Sequence, residues 1–189
     1  MGRPMAGERT ANPIVRSWLG HEKGRETMRT QAEQIAEIRV DQEFWRALAA
    51  EVGPARFAEP GPMGEWSFGD MAGHLLGWRE RTINRVQAAA RGELEPAPPW
   101  GVEPEGEDEV HKVNDWIREQ HAGRPAAELV AEYDASYDRL IEALEAVPLH
   151  LQTTVVEWAD EPLVDVDFTG HLHDEHEAPV RAWLEGERG

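Results

Sequence analysis

Apolar residues recur along this chain at helical rather than strand spacing. Ile35, Ile38, Trp45, Leu48 and Val52 follow one another at steps of 3, 7, 3 and 4. That is one stripe of a helix predicted over 30–52. Gly53-Pro54 stops it, and EPGPMGEW reads as loop. Ser67 begins a second helix as N-cap, with Asp70 three residues on as a short-armed capping box. Trp66 and Met71 flank that cap as a hydrophobic staple. The helix should reach Arg91, with Gly92 as its stop. Its inner stripe is Met71, Leu75, Trp78 and Val86, and His74 lies beside that stripe.

Residues 93–108 (ELEPAPPWGVEPEGED) are too rich in proline, glycine and acid for a helix interior and read as a long crossover. A third helical region follows in two pieces. The first, over 109–121, carries Val113, Trp116 and Ile117; the second opens at Pro125 and runs to Val147. Its buried face is Leu129, Tyr133, Tyr137, Leu140, Leu144 and Val147. Pro148 ends it. TTVVEW is strand-like but has no evident partner, so 149–168 reads as an extended connection anchored by Trp158. A last helix is predicted over 169–185, kinked or delayed in its regular start by Pro179. The fold class is therefore all-α, a four-helix bundle with one long crossover between helices 2 and 3.

Composition narrows the chemistry. The chain has 189 residues, no cysteine and a net charge of −18. Disulfides, thiolate metal sites and a protein thiol nucleophile are excluded, so any thiol must come from a co-substrate. The acidic balance argues against nucleic acid and against an anionic membrane surface, and no apolar run is long enough to span a bilayer. Residues 1–27 differ from the rest. Five basic residues against three acidic leave them at +2, and the remaining chain at −20. They read as a loosely ordered extension with a short helix around 13–19, before a domain over 28–189. They contain no signal-peptide apolar region, which fits a cytoplasmic protein. An apolar stripe left on helix 1 would suit a homodimer.

The histidines carry the candidate chemistry. His171, His173 and His176 crowd one window near the C-terminus, and His74 stands on helix 2. On an α-helix His173 and His176 share a face, whereas His171 points about a third of a turn or more away. His74, His173 and His176 are therefore the expected ligands of a divalent metal (Zn²⁺, Ni²⁺ or Fe²⁺) with open positions for water or substrate. The competing reading is a set of solvated or hydrogen-bonded histidines. Asp174, Glu175 and Glu177 are surface charges or partners that orient an imidazole. Trp66, Trp78, Trp116 and Trp183 read as core anchors, and Asn114 as a cap or an internal hydrogen-bonding group. Arg79 reads as a surface residue within reach of an anionic substrate. His111, His121 and His150, near helix ends, read as solvated.

Three segments carry a family resemblance: GEWSFGDMAGHLLGWRERTINRVQAAARGE, VNDWIREQHAGRPAAELVAEYDASYDRLIEAL and HLHDEHEAPVRAWLEG. They resemble the second, third and last helices of DinB-like four-helix-bundle proteins, in the branch containing the ClbS/DfsB proteins and, more distantly, the mycothiol-dependent maleylpyruvate isomerases. The resemblance implies an up-down-down-up bundle. It also implies a divalent metal held by one histidine on helix 2 and a His-x-x-x-His or Glu-x-x-x-His pair on the last helix. His74 and His176 match the outer positions. The middle position is Leu172, and His173 is the neighbour able to replace it. On this footing the protein is expected to be a metal-dependent hydrolase or thiol transferase that turns water or a low-molecular-weight thiol on an electrophilic small-molecule substrate. Other relatives work without metal, which gives the alternative of a small-molecule-binding or protective bundle protein of the ClbS/DfsB type.

Overall fold

The computed structural model describes residues 28–186. The extension and short helix expected within 1–27, and the last three residues of the domain, lie outside the described residues. The chain is mostly helical, as expected, with four long helices: α1 (Gln31–Val52), α2 (Phe68–Ala90), α3 (Glu107–His121) and α4 (Ala126–Glu145). A short α5 (Leu149–Gln152) precedes a π-helical turn over Leu172–Glu177, which runs directly into α6 (Ala178–Leu184).

Local chemistry explains these boundaries. Thr30 caps α1 in a full capping box with Glu33. Ser67 and Asp70 do the same for α2, with Ser67 N donating to Asp70 Oδ2 at 2.9 Å and Asp70 N to Ser67 Oγ at 3.0 Å. Gly53 and Gly92 follow α1 and α2 at φ +79° and +66°, a backbone region open to glycine at little cost. Three acidic residues open α3, and Arg118 and His121 close it, matching the helix dipole at both ends.

α4 lies along α2 and also packs on α1, while α3 packs on α2. Ile38, Trp45, Leu48, Met71, Leu75 and Tyr133 fill the space between them and are almost fully buried. Trp45 stacks on Phe68 and meets Tyr133 edge-on, with ring centroids 5.0 and 4.7 Å apart. The approach of α3 and of the start of α4 to α2 depends on missing side chains. A Cβ at Gly77 would fall 2.5 Å from Ile117 Cγ2, and one at Gly69 would fall 2.4 Å from the Ala126 Cβ. Both distances are shorter than real contacts allow.

Two stretches expected as loop contain small hairpins. Pro60–Met63 pairs with Trp66–Ser67, and Val155–Val156 pairs antiparallel with Glu161–Pro162. The strand-like TTVVEW thus finds its partner within the same connection. The crossover folds back over α2. Arg81, 2% exposed, binds Glu95, Glu103 and the Pro96 carbonyl, and Arg85 binds Glu95 at 2.6 Å and Glu103 at 3.0 Å. On α1, Val40 is an exposed large apolar residue. No helix among the described residues is long and apolar enough to cross a membrane.

Candidate functional site

The capped start of α2 fixes His74. It lies two turns into that helix, buried, with the Trp66 ring against it at 5.5 Å. His171 and His176 come from the other side. Pro179 has no N–H to give the Glu175 carbonyl, and its ring crowds that oxygen in a regular helix. The chain answers with a wider turn over Leu172–Glu177, and regular α-helix resumes at Ala178. In an α-helix residues five apart diverge, but a π turn brings i and i+5 onto one side. His171 and His176 therefore face His74 together.

Their geometry is close. His171 Nε2 lies 3.2 Å from His74 Nε2 and 3.2 Å from His176 Nε2. One ligand nitrogen from each of the three lies within 4.8 Å of the other two. Burial, more than their mutual repulsion, pushes His74 down to about 3, and burial lowers His176 to about 4. Burial also holds His171 well below its ordinary value, helped by its histidine neighbours and by Arg79. All three rings are thus neutral near pH 7 and keep a lone pair to donate.

These residues fit a divalent ion. Nitrogens bound at 2.0–2.1 Å around a tetrahedral ion stand about 3.3 Å from one another, close to the 3.2 Å of the two pairs that include His171. With Nε2 as the donor atom, Nδ1 carries the proton. The Nδ1 atoms of His74 and His176 are buried without a hydrogen-bond partner. The orienting acceptor usual behind a ligating histidine is therefore missing at those two rings.

His173 takes a different place from the one its spacing suggested. Its Nε2 donates to Asp41 at 2.9 Å and its Nδ1 to Glu177 at 2.8 Å. These bonds, with the Asp41 bond the larger cause, raise it to about 9 despite its partial burial. It is a cation near neutrality, tied to α1 and turned away from the other three. An α-helical register over 171–177 joins His173 to His176; the π turn substitutes His171. Glu177 is the partner of His173, and Glu175 Oε2 lies 3.7 Å from His171 Nε2.

His171 also lines a cavity that opens to solvent. Trp78, Trp158, Phe168, Leu75 and Val110 supply its apolar walls, and Glu103 and Pro104 from the crossover close one side. Trp78 is half-buried and donates to Asn114 Oδ1 at 3.0 Å, so Asn114 serves as an internal acceptor. Trp183 is a core anchor, 5% exposed. His111 is exposed, whereas His121 is half-buried against Gly73.

Arg79 is the largest departure from expectation. It is buried rather than on the surface, because it faces the two tyrosines of α4. Its Nη2 donates to the Tyr133 hydroxyl at 3.1 Å and to the Phe168 carbonyl at 3.4 Å. Tyr133 and Tyr137 hydroxyls lie 3.4 Å apart, and Tyr137 donates to Asp41 at 2.8 Å. A continuous polar chain therefore crosses the core from His173 to Arg79. The spacing of Tyr133 and Tyr137, one turn apart opposite Arg79, was the sequence signal for it.

No curated protein and no solved structure matches the chain. The family model for the mycothiol maleylpyruvate isomerase N-terminal domain matches residues 39–178, a span that contains His74, His171 and His176. The chain belongs to that family, whose domain is DinB-like.

Proposed function

We propose that His74, His171 and His176 hold a divalent ion (Zn²⁺, Ni²⁺ or Fe²⁺) and that the protein is a metal-dependent hydrolase or thiol transferase acting on an electrophilic small molecule. The convergence of three neutral imidazole nitrogens at the end of an aromatic cavity carries this reading. A bound ion of this kind lowers the pKa of a water or thiol beside it and so supplies a nucleophile near neutral pH. The chain has no cysteine, so the thiol of a transfer reaction comes from a low-molecular-weight co-substrate. The protein's own part is to present three donor nitrogens, to exclude bulk water with Trp66, Trp78 and Phe168, and to receive the substrate between Trp78 and Trp158. The family match supports a small-molecule reaction linked to a low-molecular-weight thiol. The same family supports an up-down-down-up order of α1, α2, the two-piece third helix (α3 with α4) and the closing helix that ends in α6, with the crossover over α2 as its long connection.

Leu172 and the unpartnered Nδ1 atoms favour a second reading, a metal-free pocket that binds or disarms a reactive small molecule. Metal content separates the two. Protein stripped with chelator, reloaded with Zn²⁺ or Ni²⁺ and freed of excess should retain one ion per chain. His171→Ala should lose it and His173→Ala should keep it. Absence of stoichiometric metal in the folded wild type rejects the metal-dependent reading and leaves the pocket.

A further inference from the structure

We propose that the cavity beside the histidines takes a small ligand bearing a carboxylate on an apolar body, and that Arg79 is the residue that binds the carboxylate. The inference rests on the reading of this cavity as the substrate site, and it holds with or without an ion at the histidines.

Arg79 lines the cavity and is only 7% exposed. A guanidinium keeps its charge at any accessible pH and carries five N–H donors. Its hydrogen bonds go to a phenol and a backbone carbonyl, both neutral, and its Nη1 is buried with no partner. Asp41 acts on it only from a distance and no carboxylate ion-pairs with it among the described residues; a buried charge without a contacting counter-ion is costly, and one that persists is a candidate for function.

The neighbouring carboxylates are committed elsewhere. Glu103 and Glu95 hold Arg81 and Arg85. Asp167 Oδ1 accepts from Thr169 N at 2.7 Å and Thr169 Oγ1 at 2.8 Å. Asp41 accepts from Tyr137 and from His173, two hydroxyls removed from Arg79. The guanidinium lies over the tyrosine rings, 4.3 Å from the Tyr137 centroid and 5.3 Å from that of Tyr133. A planar fork with an unpartnered donor suits a planar oxyanion better than a point cation does. The remaining walls are Trp78, Trp158, Phe168 and Leu75, which suit an apolar body. Nη1 is shut off from solvent, so a carboxylate meets it through a side-chain adjustment of the kind common on binding. His171 lines the same cavity as Arg79, so a ligand anchored at Arg79 shares its space with one of the three histidines.

The test uses an isosteric pair, 1-naphthoate and 1-naphthamide, followed by quenching of the cavity tryptophans with and without chelator. Wild type should bind the acid more tightly than the amide by roughly ten- to a hundredfold, the range of a charge-assisted hydrogen bond. Arg79→Met, checked for folding by circular dichroism, should bring the ratio near one. Arg79→Lys should reduce it at least several-fold, and it serves if the methionine variant does not fold. Equal affinities in wild type, no binding of either probe, or an unchanged ratio in a folded Arg79 variant overturns the proposal. A preference that survives chelator supports it whatever becomes of the metal. A preference that vanishes with the metal assigns recognition to the ion and overturns the role of Arg79.

Discussion

Mild acid should destabilise this protein through its histidine cluster. Unfolded, each ring binds a proton near 6.5; folded, His74 does so at about 3, His176 at about 4, and His171 well below its ordinary value. Between 6.5 and about 4 the unfolded chain therefore holds up to three protons that the native chain lacks, and stability falls as pH falls. Integrating one such group from pH 6.5 to 5.5 gives about 1 kcal/mol, and three give roughly 3 kcal/mol. That is a large part of a typical total of about 5–15 kcal/mol. His173 works against this slope by only about 0.3 kcal/mol, because its native ring is already charged while the unfolded ring completes its protonation across the interval. Glu161 and Glu175, raised chiefly by burial, work in the opposite direction. His121, lowered by burial and by Arg124, adds slope of the same sign, so the decisive quantity is a difference between variants. Urea melts in chelator at pH 6.5, 6.0 and 5.5 measure it. His74→Gln should lose about 1 kcal/mol less than wild type across this interval. An identical loss in both proteins refutes the buried, neutral cluster.

Other perturbations have defined outcomes. Gly77→Ala places a Cβ 2.5 Å from Ile117; overpacking of about 1–3 kcal/mol outweighs a helix-propensity gain of about 1 kcal/mol, so the melting temperature should fall, and Gly77→Ala combined with Ile117→Ala should cost less than the sum of the two separate substitutions. The stabilising contribution of His173 is present below 6.5 and is lost as pH rises through about 9. His173→Gln should therefore flatten the stability profile between those values while leaving metal content unchanged. Arg81→Met removes the buried cation that holds Glu95 and Glu103, and limited proteolysis should then cut within 93–106 faster than in wild type.

Much of the frame was readable because it is written in local chemistry. Ser67 with Asp70, Gly53, Gly92 and Pro148 each act within a turn of where they stand, and the crossover declares itself by its prolines. The site was half readable. His74 and His176 follow from their positions beside apolar stripes, but the third ring does not, because counting at 3.6 residues per turn assumes a regular helix. Pro179 was the clue: its missing donor widens the preceding turn and exchanges His173 for His171. The burial of Arg79 depends on Tyr133, Tyr137 and Asp41, residues brought together only by packing of α2, α4 and α1. The hairpins at 60–67 and 155–162 escaped because strands of two to four residues leave almost no periodicity. The close approach at Gly69 and Gly77 is written in glycines two helical turns apart, a signal hidden among the apolar residues around them.

Crystals soaked with Zn²⁺ and measured at the zinc absorption edge test most directly whether the three imidazoles share one ion. One anomalous peak is expected about 2.0–2.1 Å from the Nε2 atoms of His74, His171 and His176. No peak there, or a peak bound through His173 and Asp41, contradicts a shared ion.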